Sequence, residues 1–175
     1  MNIENLPTVK DKADFLANAE LLVQESLEWY GQLADSMELH NNPETAAQFR
    51  ELEKLEKQQL QWIKQQAAGL TLPKIAPWEF AWDIYSDPDR GDQMDIDYLL
   101  TPAGALTLAL RNENQAEKLY RLVAIQTPDV TVKSIAKEMA EMQQEEINLL
   151  QQRLNELPEE AHEAVEDLDP PNMPE

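Results

Sequence analysis

The chain has 175 residues, of which 42% are apolar and 27% charged, a composition typical of one soluble globular domain with a buried core. It contains no cysteine, which excludes disulfides, thiolate metal sites and cysteine nucleophiles. Thirty-four acidic residues against fourteen basic ones give a net charge of −20, so neither nucleic acid nor a membrane is expected as a partner. Neither a membrane-spanning run nor a signal-peptide pattern occurs, which favours a cytoplasmic protein.

The first half of the chain predicts two amphipathic helices, because apolar residues recur in it every three or four positions. The sequence HNNPE at residues 40–44 separates them, and Pro43 is well suited to the first turn of the second helix. On the second helix, Glu56 and Gln59 interrupt the apolar face. Two polar residues are therefore expected to point into the core.

The segment from about residue 69 to 101 loses the helical pattern and is rich in proline, tryptophan and aspartate. It is longer than a routine connection, and its aromatic residues, Tyr85 among them, favour a strap packed along the protein over a ligand lid. Two further helices follow, the third with Thr101 as its N-cap. The bundle domain is assigned to residues 1–157, and residues 158–175 are expected to form a mobile, acidic, proline-rich tail.

The two halves of the chain resemble each other. EWYGQLA around Tyr30 matches KLYRLVA around Tyr120, and Glu56 on the second helix matches Gln143 on the fourth. Each half is therefore predicted to be one helical hairpin. Two hairpins joined by a long crossover predict an all-α four-helix bundle in which the second and third helices run parallel. The two tyrosines are expected to be core residues with satisfied hydroxyl groups rather than redox sites.

Three stretches, FRELEKLEKQQLQWI, ALRNENQAEKLYRLVA and AKEMAEMQQEEINLL, resemble the ferritin-like superfamily, specifically the rubrerythrin-like proteins. The resemblance covers roughly residues 11–155 and implies a ferritin-like four-helix bundle. Family members bind two irons between these helices and use them in oxidase, peroxidase or iron-handling chemistry. The ligand positions that the resemblance transfers to this chain are Val23, Glu56, Gln59, Glu113, Gln143 and Glu146.

This chain departs from the family pattern at most of those positions. Only Glu56 and Glu113 keep the family's residue, since valine replaces one glutamate, glutamine replaces another, and both ligand histidines are absent. The two histidines of the chain, His40 and His162, lie at a helix break and in the tail, and neither is expected to reach the bundle centre. A di-iron pair with such ligands would be degenerate.

Two interpretations of the buried polar residues remain open. In the first, Gln59 and Gln143 donate hydrogen bonds to Glu56, Glu113 and Glu146, with some carboxyl groups protonated because burial disfavours their charge. In the second, the three glutamates and the amide oxygens bind one hard cation such as Mg²⁺, Ca²⁺ or Mn²⁺. Glu20, one turn from Val23, could then contribute a ligand.

The first interpretation predicts a non-catalytic rubrerythrin-like bundle without catalytic residues or cofactor, which acts as a binding or scaffold protein. Its partners would be a second copy of the chain, in a homodimer, or another protein. The alternative is a ferritin-like oxidoreductase or iron-handling protein that holds iron or another divalent cation at Glu56, Glu113 and Glu146.

Overall fold

The computed structural model describes residues 9–80, 82 and 99–163, and its regular structure in these ranges is entirely helical. The strap residues 83–98, with Tyr85, and the tail residues 164–175 lie outside the described residues. None of the described helices is long and apolar enough to cross a membrane. The helices are α1 Lys12–Leu39, α2 Pro43–Gln66, α3 Pro102–Gln126 and α4 Val130–Glu156, with 3-10 turns at Pro77–Glu79 and Glu159–His162.

Side-chain caps fix where the long helices begin. Each of the four N-cap residues accepts a hydrogen bond from a backbone N–H of the first turn, where such groups have no partner within the helix. Thr101 accepts from the Gly104 N–H at 2.9 Å, which confirms the predicted start of α3. The predicted start of α2 at Pro43 is also observed. The caps are Asp11, Asn42, Thr101 and Asp129.

The helices form two hairpins, because α1 packs mainly on α2 and α3 mainly on α4. The apolar core consists of two clusters, one containing Phe15 and Trp82 and the other Phe49 and Leu106. The helices α1 and α4 run from the first cluster to the second, whereas α2 and α3 run from the second to the first. The prediction of a four-helix bundle with parallel second and third helices is thus confirmed.

The crossover is attached to the bundle at several described points. The Leu100 carbonyl accepts hydrogen bonds from Asn42 Nδ2 at 2.8 Å and Thr45 Oγ1 at 2.7 Å, which fixes the chain just before α3. The ring of Trp82 is buried, with edge contacts to Phe15 at 5.4 Å and Tyr120 at 6.1 Å between ring centroids. The two halves of the bundle are therefore linked by packing of the crossover as well as by the chain itself.

Candidate functional site: a buried carboxyl and amide layer

A layer of polar side chains separates the two apolar clusters at mid-height of the bundle. Each of the four helices packs against one apolar cluster near one end and the other cluster near its other end, and its polar residues lie between these two contacts. Burial of such groups is unfavourable unless they are hydrogen-bonded, so their contacts decide what the layer does. The members of this polar layer are Ser26 on α1, Glu56 and Gln59 on α2, Glu113 on α3, and Gln143 and Glu146 on α4.

Amide groups link three of the helices. Gln59 Nε2 donates to Glu146 Oε2 at 2.7 Å and to Gln143 Oε1 at 3.2 Å. Gln143 Nε2 in turn donates to Glu113 Oε2. The expected donation from glutamines to carboxyl groups is confirmed for Glu113 and Glu146, and the two amides join α2, α3 and α4 in one chain of hydrogen bonds.

Two hydroxyl groups of α1, one from the layer and one from the adjoining apolar cluster, donate to its carboxyl groups. Ser26 Oγ donates to Glu56 Oε1 at 2.7 Å, so the partner of Glu56 is a serine rather than the expected glutamine. Tyr30 Oη donates to Glu113 Oε1 at 2.8 Å, as expected of a core tyrosine with a satisfied hydroxyl group. Sequence reasoning missed Ser26, although its position between Val23 and Tyr30 on the apolar face of α1 was a usable signal.

The electrostatics of the layer favour protonated carboxyl groups. Burial raises the pKa of Glu56 well above its ordinary value, the negative charges of Glu113 and Glu146 raise it further, and the Ser26 hydrogen bond acts in the opposite direction. Burial raises the pKa of Glu146 to about 7, although the Gln59 hydrogen bond lowers it. The fold thus holds Glu146 near its titration point at neutral pH.

The other candidate ligands contribute little to this layer. Val23 is buried and has no donor atom, and both His40 and His162 are exposed beyond helix ends. Across residues 9–80, 82 and 99–163, no group of three acidic or histidine side chains is arranged to hold a metal ion. Glu20 therefore does not complete such a group. The donor set does not fit two irons, because the layer contains no imidazole and the amide N–H groups of Gln59 and Gln143 point at its carboxyl groups.

A cleft of about 360 Å³ opens beside the polar layer, between α2 and α4. Gln59 and Glu146 belong to both the layer and the cleft, so one hydrogen-bonded pair connects the buried network with the surface. Sequence reasoning did not predict this cleft, since it depends on how two helices from different hairpins are spaced. Its lining residues are Leu55, Gln58, Gln59, Trp62, Met142, Glu145, Glu146 and Leu149.

Comparison with known proteins identifies a relative among the solved structures. No family model matches the chain, and no curated protein does. The chain is similar to the crystal structure of COG1633, an uncharacterized conserved protein from Magnetospirillum magnetotacticum MS-1, with 32% sequence identity and a TM-score of 0.63. The match covers 85% of this chain and 97% of that one. With this identity over nearly the whole of the relative, the chain belongs to the COG1633 family of conserved proteins.

Proposed function

We propose that this protein is a rubrerythrin-like member of the ferritin-like superfamily that works without a di-iron centre, as a non-catalytic binding protein. The bundle with its mid-height polar layer supports the relationship, because ferritin-like sites are built from inward side chains on all four helices. Five of the six positions assigned as ligand positions by resemblance, all except Val23, carry the side chains of that layer.

The observation that carries the proposal is that protein groups donate hydrogen bonds to all three carboxyl groups of the layer. Both oxygens of Glu113 accept hydrogen bonds, from Tyr30 and from Gln143. Oxygens of Glu56 and Glu146 accept bonds from Ser26 and Gln59. The amide N–H groups of Gln59 and Gln143 point at carboxyl oxygens in this arrangement, so a cation bound there would face hydrogen-bond donors rather than lone pairs.

In this proposal the polar layer has a structural role. Its members come from both hairpins, and a satisfied buried network favours one register of the helices over others. The network holds α2 and α4 at the spacing that leaves the cleft open between them. The functional surface is therefore the cleft, and the layer is what supports it.

Metal analysis of the purified protein tests the proposal. We expect substoichiometric metal after expression in iron-supplemented medium and after aerobic incubation with Fe²⁺, with no visible oxo-bridge absorption. Two tightly bound irons per chain would overturn it. Uptake of iron, Mg²⁺, Ca²⁺ or Mn²⁺ that disappears in Glu56→Ala and Glu113→Ala would instead support the alternative, a carboxylate-rich metal site. The proposed homodimer is tested separately, by light scattering.

A further inference from the structure

The cleft between α2 and α4 has the composition of a small-molecule site. Its volume of about 360 Å³ lies within the range of ligand pockets, and Leu55, Trp62, Met142 and Leu149 give it apolar walls. The polar residues of the cleft are few and lie at different depths. Gln59 is buried, whereas Gln58 and Glu145 are exposed. A ligand in the cleft would therefore meet an apolar wall and a polar floor.

The charge of the cleft favours a positively charged ligand. Glu145 and Glu146 both line it, and in the described part of the chain no lysine or arginine does. Gln59 Nε2 holds Glu146 Oε2 at 2.7 Å, which fixes this carboxyl group at the floor. An anionic ligand would be repelled, and a cationic group at the floor would be attracted.

The apolar walls add a second requirement. Trp62 offers an aromatic face, which attracts organic cations, and Met142 offers a polarisable side chain that adapts to ring-shaped partners. A hydrated inorganic cation would gain little from such walls. An organic cation with an apolar body satisfies both the carboxyl floor and the walls.

We infer that the cleft binds a small organic ammonium ion, with its charged group against Glu146 and its alkyl or aryl body between Trp62 and Met142. This inference rests on the proposed function of the chain as a binding protein. It goes further by naming the cleft and the chemical class of the ligand.

Three probes of similar size test the inference on the full-length protein. They are 2-phenylethylammonium, the neutral 2-phenylethanol and the anionic 3-phenylpropionate, each titrated by calorimetry at mildly alkaline pH. We expect the ammonium ion to bind at least about tenfold more tightly than the alcohol, with the carboxylate weakest. Equal affinity for all three, or no measurable binding of the ammonium ion, would overturn the inference.

Two matched variants locate the site. Glu146→Gln, which keeps the shape of the side chain, should abolish the preference for the ammonium ion over the alcohol. Glu141→Gln removes an exposed acid of α4 that does not line the cleft, and should keep that preference. If Glu146→Gln does not fold, the site is tested on the wild-type protein by the indole NMR resonance of Trp62, assigned through Trp62→Phe. This resonance should shift when the ammonium ion is added, and an unchanged resonance would overturn the site.

Failure of this inference is distinguishable from failure of the proposed function. A metal-free protein that shows no preference for the ammonium ion overturns only the ligand class. A protein that purifies with two irons overturns the proposed function, whatever the three probes do.

Discussion

The hydroxyl group of Tyr30 on α1 donates a 2.8 Å hydrogen bond to Oε1 of Glu113 on α3. This bond links the two hairpins, which otherwise pack mainly within themselves. The sequence repeat gives Tyr120 the corresponding place in the second half, but the residue that corresponds to Glu113 is Val23, which has no acceptor. The valine at position 23 thus makes the polar layer asymmetric.

Tyr30→Phe should destabilise the protein by about 1–3 kcal/mol, because it keeps the buried ring but removes a donor from a buried carboxyl group. Chemical denaturation followed by circular dichroism measures this loss.

A double-mutant cycle provides the control. In a Glu113→Leu background the Tyr30 hydroxyl loses this acceptor, so Tyr30→Phe should then cost little or even stabilise the protein. Equal losses in both backgrounds would show that the hydrogen bond contributes nothing and that the ring alone matters.

Ser26→Ala tests the second hydroxyl donor. Ser26 Oγ lies 2.7 Å from Glu56 Oε1, and both side chains are buried. We expect a loss of about 1–3 kcal/mol in the free energy of unfolding, since alanine leaves the Glu56 oxygen without this donor. Ser134→Ala, at an exposed position on α4, is the matched control and should leave stability almost unchanged. Similar effects of the two substitutions would argue against a role for the hydrogen bond.

Much of the fold could be predicted from the sequence, because its signals are local. The break at residues 40–44 and the cap at Thr101 act within one helical turn. Four helices that each have one apolar face can bury those faces together in only a few arrangements. The polar layer was visible for the same reason, as interruptions in those stripes.

The pairing inside the layer could not be predicted in the same way. The sequence shows which polar groups face inward but not which of them meet, so it did not reveal that Glu56 bonds to Ser26. The cleft beside Trp62 was missed because it is a gap between helices of different hairpins. Both features depend on the separation and rotation of packed helices, which no local pattern encodes.

Glu146 should make stability depend on pH. Its pKa is about 7 in the folded protein against an ordinary value of 4.5, so the folded state binds the proton more tightly than the unfolded chain. The stabilisation is fully present below the unfolded value and is lost as the pH rises through the folded value. The total loss is roughly 3 kcal/mol for this group.

Glu146→Gln should remove that dependence, because its amide oxygen can still accept from Gln59 but cannot ionise. The variant should therefore gain stability relative to wild type as the pH rises from 4.5 to about 7, keep this advantage at higher pH, and lose it in acid. Glu145→Gln, at the exposed neighbouring position, controls for the general effect of removing one negative charge. Parallel stability curves for wild type and Glu146→Gln would contradict the assignment.

Placing the rubrerythrin-like residues at the ligand positions given by the resemblance tests whether these positions converge as they do in a metal site. The change combines Val23→Glu, Gln59→His, Gln143→Glu and Glu146→His in a chain that already has glutamates at positions 56 and 113. Because these positions, the buried Val23 included, come from all four helices, we expect this variant to bind about two irons per chain, with a visible oxo-bridge band absent from wild type.

The matched control is the same combination with Glu56→Ala, which removes one of the two glutamates, Glu56 and Glu113, that match the resemblance. It should fold as a bundle but bind less iron than the combined variant, since a di-iron centre depends on the carboxylates that bind and bridge its two ions. A folded combined variant that binds no more iron than this control would mean that the six side chains do not converge as the resemblance implies. The layer would then be a hydrogen-bonded core in its own right, without the geometry of a metal centre.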